Sequence, residues 1–212
     1  MTLPLQRLAL LACFLAVPAA AQKKPVKPKV PAIPLATAGL AGQGVAVLPL
    51  TMLVSDTHVP GTTGTKARTA LLAWADSLLG DVLTEHAPEV TWILPPALRK
   101  NALRGAGMLP APDRMGQSML RAQLKEVPDP LRSYLRQLLA LSGGARYAFI
   151  PAALYLTPEG DDSLKVQLSA VLTDGRLGRV VWRTLAVGTG DTAESAYRAA
   201  LATLFLADPG TP

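Results

Sequence analysis

Tyr147-Ala-Phe-Ile-Pro-Ala-Ala-Leu-Tyr-Leu-Thr157, Leu164-Lys-Val-Gln-Leu-Ser-Ala-Val-Leu-Thr173 and Arg179-Val-Val-Trp-Arg-Thr-Leu-Ala-Val187 are three apolar runs in close succession. Pro158-Glu159-Gly160-Asp161-Asp162 and Asp174-Gly175-Arg176-Leu177-Gly178 separate them, and both contain the residues that hairpin turns need. Strands joined by such turns make an antiparallel meander. In the middle run Val166, Leu168, Ala170 and Leu172 alternate with Lys165, Gln167, Ser169 and Val171, which predicts one buried and one mostly polar face. Downstream, Asp191 with Glu194 three residues on reads as a capping box opening a last helix. Tyr197, Ala200, Leu201, Leu204 and Phe205 line its inner face.

Upstream, Gly44 to Val54 (GVAVLPLTMLV) is an apolar run consistent with one central strand buried on both faces. After a Gly/Thr/Pro loop from Ser55 to Thr65, Lys66 to His86 places Leu71, Ala75, Leu78 and Val82 on one helical stripe, with Leu72, Leu79 and Leu83 beside it. Thr65 is the expected N-cap. Val90 to Leu94 reads as a short strand, Pro95-Pro96 as the start of a helix ending near Gly105 and Gly107, and Asp129-Pro130 as a cap and first turn leading into Leu131 to Leu141. This order predicts an α/β fold: a mixed β-sheet packed by helices, with a C-terminal three-stranded antiparallel meander and a final helix. Trp74, Trp92 and Trp182 fall inside predicted elements, where packing is their expected role.

The first 21 residues have the layout of a secretory signal peptide: Arg7, the apolar run Leu8 to Val17, then Pro18-Ala19-Ala20-Ala21. The run is too short to span a bilayer, and cleavage after Ala21 would start the mature chain at Gln22. Cys13, the only cysteine, reads as part of the leader core; the other reading is a lipid-attachment site in Leu10-Leu11-Ala12-Cys13. Gln22 to Pro34 (QKKPVKPKVPAIP) reads as an extended tether whose Lys23, Lys24, Lys27 and Lys29 suit weak contact with anionic surfaces. The expected organisation is a leader over 1–21, a tether over 22–43, one α/β domain over 44–207 and a tail over 208–212. The expected location is the periplasm.

The formal charge of +6 is concentrated at the start, where residues 1–30 hold five basic residues and no acids. The remainder has 16 basic against 15 acidic side chains, which speaks against a nucleic-acid partner.

Candidate chemistry is sparse. Gly61-Thr62-Thr63-Gly64-Thr65-Lys66 lies where a phosphate loop would, but Thr65 intervenes before Lys66 and Ala67 replaces the hydroxyl. Ser55, Asp56 and His58 share one short loop, an arrangement that rarely converges as a triad, and no Gly-x-Ser-x-Gly turn exists. His86 suits a helix C-terminus, Asp161-Asp162 suits a turn, and two histidines with no mature cysteine make a poor zinc set. The expectation is a protein without cofactor or catalytic site. The alternative is an exported hydrolase with a dispersed Ser/Asp/His site.

Three motifs carry a resemblance. Gly144-Ala145-Arg146-Tyr147-Ala148-Phe149-Ile150, the hairpin Leu172-Thr173-Asp174 to Gly178-Arg179-Val180-Val181-Trp182, and Val45-Ala46-Val47-Leu48-Pro49-Leu50 resemble a superfamily of bacterial envelope domains. It includes the curli-secretion channel lipoprotein, the lipoprotein activators of penicillin-binding proteins and the N-terminal domain of TolB. The resemblance covers about residues 44–206 and implies a periplasmic domain that binds envelope proteins and has no active site. The function expected is therefore a non-catalytic interaction module, accessory to an envelope assembly or cell-wall machine. His58, in the loop Ser55 to Thr65, and Met108, Met115, Met119 and Leu120, in the weakly periodic stretch Met108 to Asp129, are candidate docking residues; the other reading of the second segment is an amphipathic connector whose Met and Leu side chains cover the sheet.

Overall fold

Proline decides how the first apolar run is used. A computed structural model describes residues 33–56, 64–105, 107–160 and 162–205; the leader, most of the tether, His58 and the C-terminal tail lie outside the described residues. Within them, Gly44 to Val54 is not one strand. It is β1, Gly44–Val47, and β2, Leu53–Ser55, both parallel to β4, Tyr147–Pro158. Pro49 has no amide hydrogen to give to a ladder, and the Leu50 amide is taken by the Asp76 carboxylate at 2.7 Å. The chain therefore leaves the sheet after Leu48, whose amide still reaches Phe149 O at 2.9 Å, and re-enters at Leu53.

β3, Thr91–Ile93, β5, Leu164–Asp174, and β6, Arg179–Gly190, complete a mixed sheet ordered β3-β1-β4-β5-β6, with β2 also beside β4. β4, β5 and β6 are the expected antiparallel meander. Four α-helices pack on it: α1, Thr65–His86; α2, Pro95–Ala102; α3, Leu131–Leu141; and α4, Ala193–Ala202. The crossovers explain their faces. The chain goes from β2 through α1 to β3 on one side of β1, then through α2 and α3 to β4 on the other. Connections of one hand in opposite directions put α1 and α2–α3 on opposite faces of the sheet.

Each face has its own core. Phe149, Leu154, Val166, Leu168 and Ala186 face α1 and α4, joined by Leu79, Leu83, Tyr197 and Leu201. Ala148, Ile150 and Val171 face α3, joined by Leu98, Leu120, Leu131, Leu135 and Leu138. Irregularities at Ala152 and Val181 shift the alternation within β4 and β6. The first lets Phe149 and Leu154, five residues apart, share a face.

Helix ends differ from their sequence reading. Gly64, at φ 88°, precedes α1, so Thr65 is its first residue and not its cap. No side chain caps α3; Asp129 accepts the Ser133 hydroxyl instead. At α4 the capping box is Thr192 with Ser195, one residue later than expected, and Glu194 pairs with Arg198 one turn on. The folded part also begins earlier than residue 44. Leu35 and Leu40 are buried in the α1–α4 core, and the Leu35 amide donates to Leu204 O.

Candidate interaction surface

A single row of side chains crosses the sheet where its helical cover ends. Val54 pairs with Tyr155, Tyr155 with Gln167, and Gln167 with Val187. Their strand neighbours Leu53, Leu154, Val166 and Ala186 belong to the α1–α4 core, so the row points to the opposite face. There α2 and α3, with the short turn Gln117–Arg121, cover β1, the first half of β4 and part of β5. The cover stops at Arg183, whose guanidinium donates to Leu120 O and Leu124 O. Beyond that line Val54 is exposed, Tyr155, Gln167 and Val187 are partly exposed, and Leu185 stands half out of the surface.

β6 forms one edge of the sheet. Its first residues are covered, because Val180 N donates to Lys125 O and Val127 N to Gly178 O. Among the described residues nothing pairs with this edge beyond Val180. The irregularity at Val181 turns that side chain outward beside a cleft of about 380 Å³ bounded by Ile33, Leu124, Lys125 and Trp182. The result is a partly apolar sheet face, with Lys165 beside Gln167 at its end, bordered by an open strand edge. Such a surface accepts an apolar face or an extended segment of another protein.

The polar groups near β1 are committed to holding the chain. Asp76 accepts from Leu50, and Arg99 lies 3.6 Å away, itself bidentate to Asp113. Burial pushes the Asp76 carboxyl up to about 6 against the pull of the Leu50 amide and Arg99. The Arg99 guanidinium holds Asp113 below the usual carboxylate range. Gln117, fully buried, donates to Pro49 O and Pro112 O. Asp174 opposes burial with the amides of Leu177 and Arg176 and the Arg146 guanidinium, which together keep it below its ordinary value. These contacts bind the β1–β2 crossing and the β5–β6 turn. A second cleft, of about 420 Å³, lies at the start of β1 and β4; Thr91, Ser142, Arg146 and Arg176 line it, without a carboxylate or histidine.

The four described docking residues separate into two pairs. Met115, 3% exposed, and Leu120, fully buried, belong to the core beneath α2 and α3. Met119, 38% exposed, lies on the Gln117–Arg121 turn that packs on β4 and β5, at the border of the open face. Met108, 79% exposed, is elsewhere, beyond the end of α2. His58 lies outside the described residues. Residues of the open face were not singled out from sequence. Their signal was the polar half of the β5 alternation, Lys165 and Gln167, beside the apolar Leu185 and Val187, two positions apart.

No family model matches the chain, and no curated protein matches it. Among solved structures it is similar to the LpoB C-terminal domain from Salmonella enterica, at 14% identity over 69% of this chain and 82% of that one, TM-score 0.38. It is also similar to lipoprotein GNA1162 from Neisseria meningitidis, at 17% identity over 72% and 83%, TM-score 0.34. A third is the PelC dodecamer from Paraburkholderia phytofirmans, at 16% identity over 82% and 89%, TM-score 0.38. Likenesses at this level transfer no residue role and no partner. Among the described residues no group of acidic, His or Cys side chains is placed to hold a metal, and no helix is long and apolar enough to cross a membrane.

Proposed function

We propose that this protein is a non-catalytic, exported interaction module of the bacterial envelope, and that it docks a protein partner on the open face of β4, β5 and β6. The observation that carries the reading is the row Val54–Tyr155–Gln167–Val187 with Leu185, which leaves half of one sheet face without the helical layer that covers the rest. A solvent-facing sheet half is normally mostly polar, whereas this row holds one polar side chain, Gln167, among Val54, Tyr155 and Val187. The leader-like residues 1–21 support export, and the envelope-domain motifs support the setting.

The test uses tagged protein expressed in its native envelope. Wild type retains a defined partner, and Tyr155→Glu combined with Leu185→Glu loses it while melting at the same temperature. Retention of the same partner by that variant excludes this face. Turnover of a wall or ester substrate that disappears in His58→Ala would replace the module reading by the hydrolase one.

A further inference from the structure

The near-neutral balance of the folded chain conceals a strong polarity. Residues 95–146, the layer of α2, α3 and the turns between them, carry nine Lys or Arg against three Asp or Glu. Residues 33–94 and 147–205 carry seven against eleven. One helical layer is therefore positive and the remainder of the domain negative. Of the three acids of the layer, Asp113 is paired with Arg99 and Asp129 accepts the Ser133 hydroxyl. Lys100, Arg104, Arg114 and Arg136 are exposed and, among the described residues, have no ion pair.

Two side chains at the end of α2 are out of place for a purely solvated surface. Leu103 is 83% and Met108 79% exposed, the two most exposed large apolar side chains among the described residues. They flank the turn in which the Met108 amide donates to Gly105 O, with Arg104 next to Leu103 and Lys100 one helical turn before it. Apolar tips among unpaired cations fit the boundary of an anionic bilayer, where the tips enter the acyl region and the cations meet the headgroups. Nucleic acid fits less well: residues 95–146 contain one aromatic, Tyr134, so stacking surfaces for bases are missing.

We infer that the α2–α3 layer is a membrane-facing surface that seats the domain on anionic phospholipid, with Leu103 and Met108 as the inserting tips. The open β4–β6 face lies on the same side of the sheet as this layer, beyond its end. The inference stands apart from the proposed partner, because vesicles alone test it.

The experiment is co-sedimentation of the purified full chain with vesicles of phosphatidylglycerol and phosphatidylethanolamine, against phosphatidylcholine alone, at low and high salt. Wild type sediments with the anionic vesicles only, and less at high salt. One cation near such a surface is worth about a fivefold change in partition, so Lys100→Gln with Arg104→Gln lowers it about 25-fold. Leu103→Ser with Met108→Ser lowers it as well and leaves the melting temperature unchanged. Glutamines at Lys23, Lys24, Lys27 and Lys29 leave most of the α2-dependent part. Three results overturn the inference: no binding to anionic vesicles, binding that follows the tether lysines and ignores α2, or binding to a single-stranded oligonucleotide without binding to vesicles.

Discussion

The Asp76 carboxylate accepts the Leu50 amide at 2.7 Å, an α1 side chain standing in for the strand partner that Leu50 gives up beside Pro49. This contact bends the first apolar run away from the sheet. It also leaves a buried acid whose charge is disfavoured, with a pKa raised from 3.8 to about 6. The native state thus binds the proton more tightly than the unfolded chain, and stability falls as pH rises from about 4 to about 6. A shift of this size corresponds to about 3 kcal/mol. Thermal melting should show that loss in wild type and not in Asp76→Asn, whose amide oxygen still accepts from Leu50. Asp76→Ala should cost about 1–3 kcal/mol at low pH, where the wild-type acid is protonated, because the Leu50 amide is left unpaired, and less above about pH 6, where the buried charge it removes is itself disfavoured. An unchanged pH slope in Asp76→Asn would show that another group titrates.

Glycine allows α4 to sit on the backbone of β6. A Cβ on Gly188 would lie 2.2 Å from Ala200 N and 2.4 Å from Ala196 O, so neither helix nor strand could yield by moving a side chain. Gly188→Ala should cost about 3 kcal/mol or more in chemical denaturation. A near-neutral result would mean that α4 is held less closely than described.

Met115 and Met119 separate packing from docking. Met115→Glu places an unpaired carboxylate in the core beneath α2 and α3 and should cost about 3–5 kcal/mol or prevent folding. Met119→Glu, at the border of the open face, should leave the melting temperature within a degree or two and weaken partner binding. Equal destabilisation by both would remove Met119 from the surface.

Tyr197 is buried with its ring 5.7 Å from that of Trp74, and among the described residues its hydroxyl has no hydrogen-bond partner. Burial, with the nearby Asp76 charge, pushes the phenol far above its ordinary value. Tyr197→Phe removes an unsatisfied polar atom and keeps the packing, so stability should stay level or rise by about 1 kcal/mol. A clear loss in denaturant melts would point to a bridging water on the hydroxyl.

The meander was legible because three runs with turn residues between them leave few alternatives, and α1 was legible from its stripe. The split of Gly44–Val54 was not, since an apolar run does not say that Pro49 and Leu50 will lack ladder partners. A clue was present: Leu72, Asp76, Leu79 and Leu83 follow helical spacing, so an acid lies in an apolar stripe and needs a buried donor. The capping residue at α4 was misplaced by one because Asp191, Thr192, Glu194 and Ser195 offer two overlapping boxes. The open face could not be read from single strands. It depends on where α2 and α3 end above the sheet, a tertiary fact. The polarity of charge was hidden by summing over the whole domain.

Site-specific photocrosslinking in the native envelope reads out whether the β4–β6 face docks another protein. A photoreactive residue at Leu185 or Val54, on the open face, should give one discrete adduct with another protein. The same probe at Glu85, on the outer side of α1, should give none. Tyr155→Glu should abolish the Leu185 adduct without lowering the amount of folded protein. Adducts at Glu85 equal to those at Leu185, or a Leu185 adduct that joins only two copies of this chain, would contradict the account.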